Sequence, residues 1–132
     1  MEILLPKGRP RPKGYSNGVT AKGRLVFVSG QVGWNEREEF ESDGMLPQVR
    51  RALENTVAVL REGGAEPKHV VRMTWFITDK RAYVKNAKAI GAAYRALFGK
   101  HYPAMALVEV KSLLEDRAKV EIETTAVVPE DA

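Results

Sequence analysis

The run Lys119-Val120-Glu121-Ile122-Glu123-Thr124-Thr125-Ala126-Val127-Val128 constrains the fold more than any other part of this chain. It alternates with period two, as a strand does when it buries one face. Val120, Ile122, Thr124, Ala126 and Val128 share one side; Glu121, Glu123, Thr125 and Val127 share the other. Tyr102 to Val110 alternates in the same way and precedes it across a short charged connection. A one-residue slip would turn the carboxylates of Glu121 and Glu123 into the core, so the register is strongly specified. Two carboxylates on one side then need either a solvated outer face or a purpose.

The remaining periodicities fall into order before this pair. Tyr15 to Thr20 is compatible with a short strand, and Arg24-Leu25-Val26-Phe27-Val28-Ser29 reads as a strand rich in β-branched and aromatic residues. Gly30 ends or bulges it, and Gln31 to Glu41 reads as a connection or weak strand carrying Trp34. Ser42 or Asp43 is suited to cap a first helix, whose stripe is Leu46, Val49, Leu53, Val57 and Leu60 and whose stop is Gly63-Gly64. His69 to Thr78 reads as a strand, with Val71, Met73, Trp75 and Ile77 on one side and Val70, Arg72, Thr74, Phe76 and Thr78 on the other. Asp79 caps a second helix with the stripe Tyr83, Ala87, Ile90, Tyr94 and Leu97, ending at Gly99. This order predicts an α+β domain: a mixed sheet with two helices packed on one face. The far face would be bare, and its Val, Trp and Phe content predicts that another subunit covers it.

Composition narrows the setting. With 132 residues, 44% hydrophobic and 29% charged, the chain fits one soluble domain. No apolar run approaches the roughly eighteen residues of a membrane span, so no membrane is expected. The first residues, Met-Glu-Ile-Leu-Leu, are too quickly interrupted for a signal peptide. Without cysteine there is neither a disulfide framework nor a thiol nucleophile, and a cytoplasmic setting is expected. The net charge of +4 is local. Residues 1–24 hold six basic side chains against Glu2 alone, a balance of +5, which leaves −1 for the rest. Residues 1–13 therefore read as a basic, proline-spaced arm in solvent rather than a phosphate clamp for nucleic acid, and residues 14–132 as the domain.

The usual chemical signatures are missing. His69 and His101 are the only histidines, 32 positions apart, so no metal site is expected. There is no phosphate-binding glycine loop and no nucleophile elbow around Ser29, and no cofactor is expected.

Several segments, in order, resemble the RidA/YjgF family of small trimeric proteins, known for 2-iminobutanoate/2-iminopropanoate deaminases. They are Gly14-Tyr15-Ser16-Asn17-Gly18-Val19, Leu25 to Gln31, Gln48, Ala52-Leu53-Glu54-Asn55-Thr56, Val70 to Phe76, Tyr102-Pro103-Ala104 and Lys119 to Glu123. The resemblance covers about residues 14–128. It implies a chorismate-mutase-like fold, a homotrimer, and small-molecule clefts between subunits. Tyr15 would line the cleft, and the main chain around Ser29 and Gly30 would hydrogen-bond the ligand. Glu121 would be the catalytic acid or base; burial of a carboxylate in an apolar cleft raises its pKa and suits proton transfer near neutrality.

One position departs from the family pattern. Active members carry an arginine after Pro-Ala that grips a substrate carboxylate; here Met105 stands there. Methionine has no donor, and an Arg–carboxylate contact contributes about 1.5–3 kcal/mol. The expected substrate is therefore an enamine, imine or related small molecule without the α-carboxylate, with Met105 in an apolar pocket wall. The alternatives are a non-catalytic trimer that binds a small ligand or partner, and a ribonuclease or translation inhibitor supported only by the basic arm. Arg72 and Arg95 are candidates to replace the missing cation by charge alone, against the plainer reading that both are solvated.

Overall fold

A computed structural model describes residues 1–130; the last two residues of the expected 14–132 domain lie outside the described residues. The chain runs β1 (Glu2–Leu4), β2 (Gly18–Thr20), β3 (Arg24–Val32), α1 (Met45–Glu62), β4 (Val70–Ile77), α2 (Lys80–Lys85), α3 (Ala87–Phe98), β5 (Ala104–Glu109) and β6 (Val120–Val128), with a single 3-10 turn at Pro67–His69 before β4. A four-stranded sheet has the order β3-β6-β4-β5, in which only β4 and β5 are parallel. The alternating run is thus one of the sheet's two inner strands. Its apolar set, Val120, Ile122, Thr124, Ala126 and Val128, is buried, as expected from period two.

The helices cover that side alone. Val49, Leu53 and Leu60 of α1 and Ile90, Tyr94 and Phe98 of α3 join Met73, Trp75, Ile77, Val120 and Ile122 in one core. Burial of a side chain of this size contributes about 1.5–3 kcal/mol. On the opposite side of the sheet Leu25, Phe27 and Val108 are exposed, with Phe27 at 73%. That side carries Glu121 paired with Phe76, Glu123 with Thr74, and Thr125 with Arg72.

Three local expectations are corrected. The first helix starts at Met45 with Gly44 as its N-cap. Ser42 Oγ instead accepts the Gly44 N–H, at 3.0 Å, and Asp43 is engaged by Arg117 at 2.9 Å. The second helix is two, broken at Asn86, whose φ of −102° and ψ of 8° interrupt the spiral. Its Nδ2 donates to the Ala82 carbonyl at 2.7 Å, and this local bonding competes with the regular ladder. In β4 the register shifts between Val70 and Arg72, so Val70 enters the core and Val71 does not. Of the two outcomes expected at Gly30, the structure has the bulge: the strand shifts register between Val28 and Gln31 and continues to Val32. Gly64 and Gly99, at φ +74° and +62°, lie in the left-handed region that terminates α1 and α3 without a Cβ penalty.

The N-terminal segment is not wholly detached. β1 pairs antiparallel with β2, Ile3 opposite Val19. Further along, Ser16 bridges to Ala104 and its N–H donates to the Pro103 carbonyl at 3.0 Å, which ties the segment to the start of β5.

Candidate functional site

Glu121 lies half-buried on the uncovered side of β6, and its carboxylate packs over Gly30. A Cβ at Gly30 would sit 2.6 Å from Glu121 Cδ, closer than any side chain tolerates. The bulge between Val28 and Gln31 creates this approach: the extra residue bends β3 and presents its main chain beside the carboxylate. Ser29 is exposed on the same bulge. The amide of Gln31 folds back onto it, Nε2 donating to the Ser29 carbonyl at 3.2 Å and lying 3.3 Å from its Oγ. Ser29, Gly30 and Glu121 therefore come together within one chain.

Tyr15 and Met105 do not join them. Met105 pairs with Met73, a core residue, whereas Glu121 pairs with Phe76, so the two point to opposite sides of the sheet. Tyr15 is 44% exposed and lines a cavity of about 390 Å³ together with Ser16, His101 and Tyr102. Met105 lines a second cavity of about 380 Å³, and Tyr102 contributes to both. The five expected site residues thus form two groups: one at the β3 bulge, the other around Tyr102 at the β5 edge.

The second cavity is aromatic. Trp75, Tyr83, Tyr94 and Tyr102 line it with Met105. Trp75 meets Tyr83 edge-on at 6.4 Å, and Tyr94 stacks on Tyr102 at 5.8 Å. Burial pushes the Tyr83 and Tyr94 phenols up from their ordinary values, so both remain neutral donors. Tyr94 donates its hydroxyl to the His101 carbonyl at 2.6 Å; the buried indole N–H of Trp75 has no partner among the described residues. Gly91 forms part of the wall in the middle of α3, where glycine costs about 0.5–1 kcal/mol relative to alanine. The space above it is taken by Arg95, whose Nη1 would lie 3.2 Å from a Cβ there.

Both histidines are structural. His69 Nδ1 accepts the Glu66 N–H at 3.0 Å, and His101 Nε2 lies 2.7 Å from the Val70 carbonyl. Among the described residues no group of three His, Cys, Asp or Glu is placed to hold a metal ion, and no helix is long and apolar enough to cross a membrane. Gln48 had no role in the sequence beyond its place in the resemblance, yet it is buried with both amide N–H groups donating and its carbonyl oxygen accepting. Nε2 donates to the Ser42 and Arg117 carbonyls, both at 2.9 Å, and Oε1 accepts the Lys119 N–H at 2.7 Å. It holds the approach to β6 against the start of α1.

The family model described as Endoribonuclease L-PSP matches residues 8–128. A RutC family protein of Aquifex aeolicus is 37% identical, with 96% of this chain and 98% of that one covered. Among solved structures, the Rid family protein YyfB of Yersinia pestis superposes with a TM-score of 0.84 at 29% identity, covering 96% of this chain and 98% of its own. TdcF of Escherichia coli, provisionally named a reactive intermediate deaminase and solved with bound serine, superposes at 0.68 with 31% identity, covering 97% of this chain and 99% of its own. Family model, relatives and fold agree, and the chain belongs to the RidA/YjgF family.

Proposed function

We propose that this protein is a homotrimer that hydrolyses an imine or enamine in a cleft between subunits, with Glu121 as the acid/base. The observation that carries the reading is the Glu121 carboxylate held over Gly30 beside the exposed Ser29 main chain. Hydrolysis of C=N adds water across the bond and expels ammonia, leaving a carbonyl. A carboxylate takes a proton from the attacking water as the C–O bond forms and returns one to the departing nitrogen. The deaminase name given to TdcF supports this reaction class. Because Glu121 and Met105 face opposite sides of one sheet, a cleft containing both needs two chains. The apolar residues of the uncovered side, Leu25, Phe27 and Val108, suit burial against another copy.

The assembly is tested by Phe27→Asp, which would place a charge in the contact. Sedimentation should report three chains for the wild type and dissociation for the variant; a monomeric wild type overturns the trimer. The chemistry is tested by ammonia release from imines generated in situ, with the wild type compared to Glu121→Gln. A wild type that accelerates release and a variant that does not is the expected result. Equal rates in both would sink the assignment of Glu121.

A second reading is favoured by Met105, which puts a thioether where a cation grips substrate in active family members. Here the cleft binds a small ligand without turning it over. Ligands that raise the melting temperature while no product forms would decide for it.

A further inference from the structure

The aromatic cavity beside Met105 is framed by a cation that has no ion pair among the described residues. Arg95 is exposed, lines the cavity, and makes no ion pair or side-chain hydrogen bond among the described residues. Side chains on a helix lean toward its N-terminus, so Arg95 covers the turn that precedes it. The residue four positions back is Gly91, which leaves that spot empty, and the guanidinium occupies it at the edge of the cavity. Lys13 stands at the same cavity and is also without an acidic partner among the described residues. The walls are apolar and flat: Trp75, Tyr83, Tyr94, Tyr102 and Met105. Trp75 adds a buried N–H without an acceptor.

We propose that Arg95 is the carboxylate anchor of this protein and that the cavity takes a small carboxylate with an aromatic or branched apolar body. The guanidinium matches a carboxylate as a two-pronged donor, and within its own chain it is not engaged by an ion pair among the described residues. The cavity of about 380 Å³ lies in the range of small-molecule pockets and surrounds the body of such a ligand with aromatic faces. Met105 serves this arrangement. An arginine at that position would place a charge in the apolar wall, where methionine packs against rings through its sulfur. The anchor has moved from strand β5 to helix α3, and Gly91 leaves room for it. This deepens the proposed function by naming its substrate class, and it rests on that reading only in treating this cavity as part of the cleft; every residue it uses belongs to one chain.

The test is calorimetric binding to the full chain at low ionic strength, with 3-phenylpropanoate, its neutral amide 3-phenylpropanamide, and propanoate as probes. The acid should bind roughly 10- to 100-fold more tightly than the amide, the worth of a charged hydrogen-bonded contact, and propanoate more weakly than phenylpropanoate. Arg95→Gln should lower acid binding to the amide's level and leave the amide unchanged. Arg72→Gln, on the other side of the sheet, should leave the preference intact. Equal binding of acid and amide by the wild type, no binding of either, or a preference that survives Arg95→Gln overturns the assignment. Failure of the catalytic reading is separable. A protein that prefers the acid but releases no ammonia keeps Arg95 and loses Glu121, whereas one that turns over imines without preferring acids does the reverse.

Discussion

Replacement of Gln48 by alanine is expected to lower the unfolding free energy by about 3–5 kcal/mol, which sums the lost side-chain volume and the buried polar groups left without partners. Three main-chain groups would lose their partner at once: the carbonyls of Ser42 and Arg117 and the N–H of Lys119. Gln48 is 1% exposed, so water has no ready access to replace it. Against a typical total of about 5–15 kcal/mol this is a large share, and the melting temperature should drop by about 10–20 °C. Gln48→Met separates the two contributions, because it keeps the volume and removes the amide. If hydrogen bonding dominates, methionine should recover less than half of the loss seen with alanine. Denaturant titration of both variants reads the difference, and a change under about 1 kcal/mol for alanine would show that water reaches these groups after all.

The second large effect concerns turnover. Glu121→Gln should reduce ammonia release by about 100-fold or more, since an amide cannot take the proton of the attacking water. Stability should change by less than about 1 kcal/mol, because the side chain is half-buried and the replacement is nearly isosteric. Gly30→Ala approaches the same carboxylate from the other side. Its new methyl would overlap Glu121 Cδ and Cγ, at 2.6 and 2.8 Å, and the carboxylate, at the end of a flexible side chain, would swing aside. A displacement of about 1 Å at a reacting group costs on the order of 100-fold. The alanine variant should therefore fold and lose most of its turnover. Unchanged kcat/KM in Gly30→Ala would mean that the position of Glu121 over the bulge has no part in the reaction.

Much of the architecture was legible because it depends on periodicity. The alternation from Val120 to Val128 identified a strand with one buried side, and the stripe from Leu46 to Leu60 identified α1. The break at Asn86 was hidden, because Tyr83, Ala87, Ile90 and Tyr94 keep helical spacing straight across it and asparagine is tolerated in helices. The start of α1 was misplaced because Ser42 and Asp43 have the chemistry of caps but spend it on Gly44 and Arg117. At the candidate site, the meeting of Glu121 with Gly30 depends on a bulge, which changes the pairing by one residue and leaves only a glycine as its trace. That Met105 and Glu121 face apart needs the pairing of three strands, and no single strand contains it. Arg95 was visible as a charge. Its place over Gly91 became visible only once the helix was set against the cavity.

The position of β6 between β3 and β4 has a consequence for how the protein is made. On a ribosome, β3, α1, β4 and β5 all emerge before the strand that joins them. Until Val120 to Val128 arrive, β3 has no neighbour in the four-stranded sheet and the β4–β5 pair stands apart from it. The nascent chain must keep Met73, Trp75 and Ile77 from other partners during that interval, a delay in which strand edges are open to aggregation. The same strand that carries Glu121 thus closes the sheet last, so a chain in which that carboxylate has found its place over Gly30 has also completed its core.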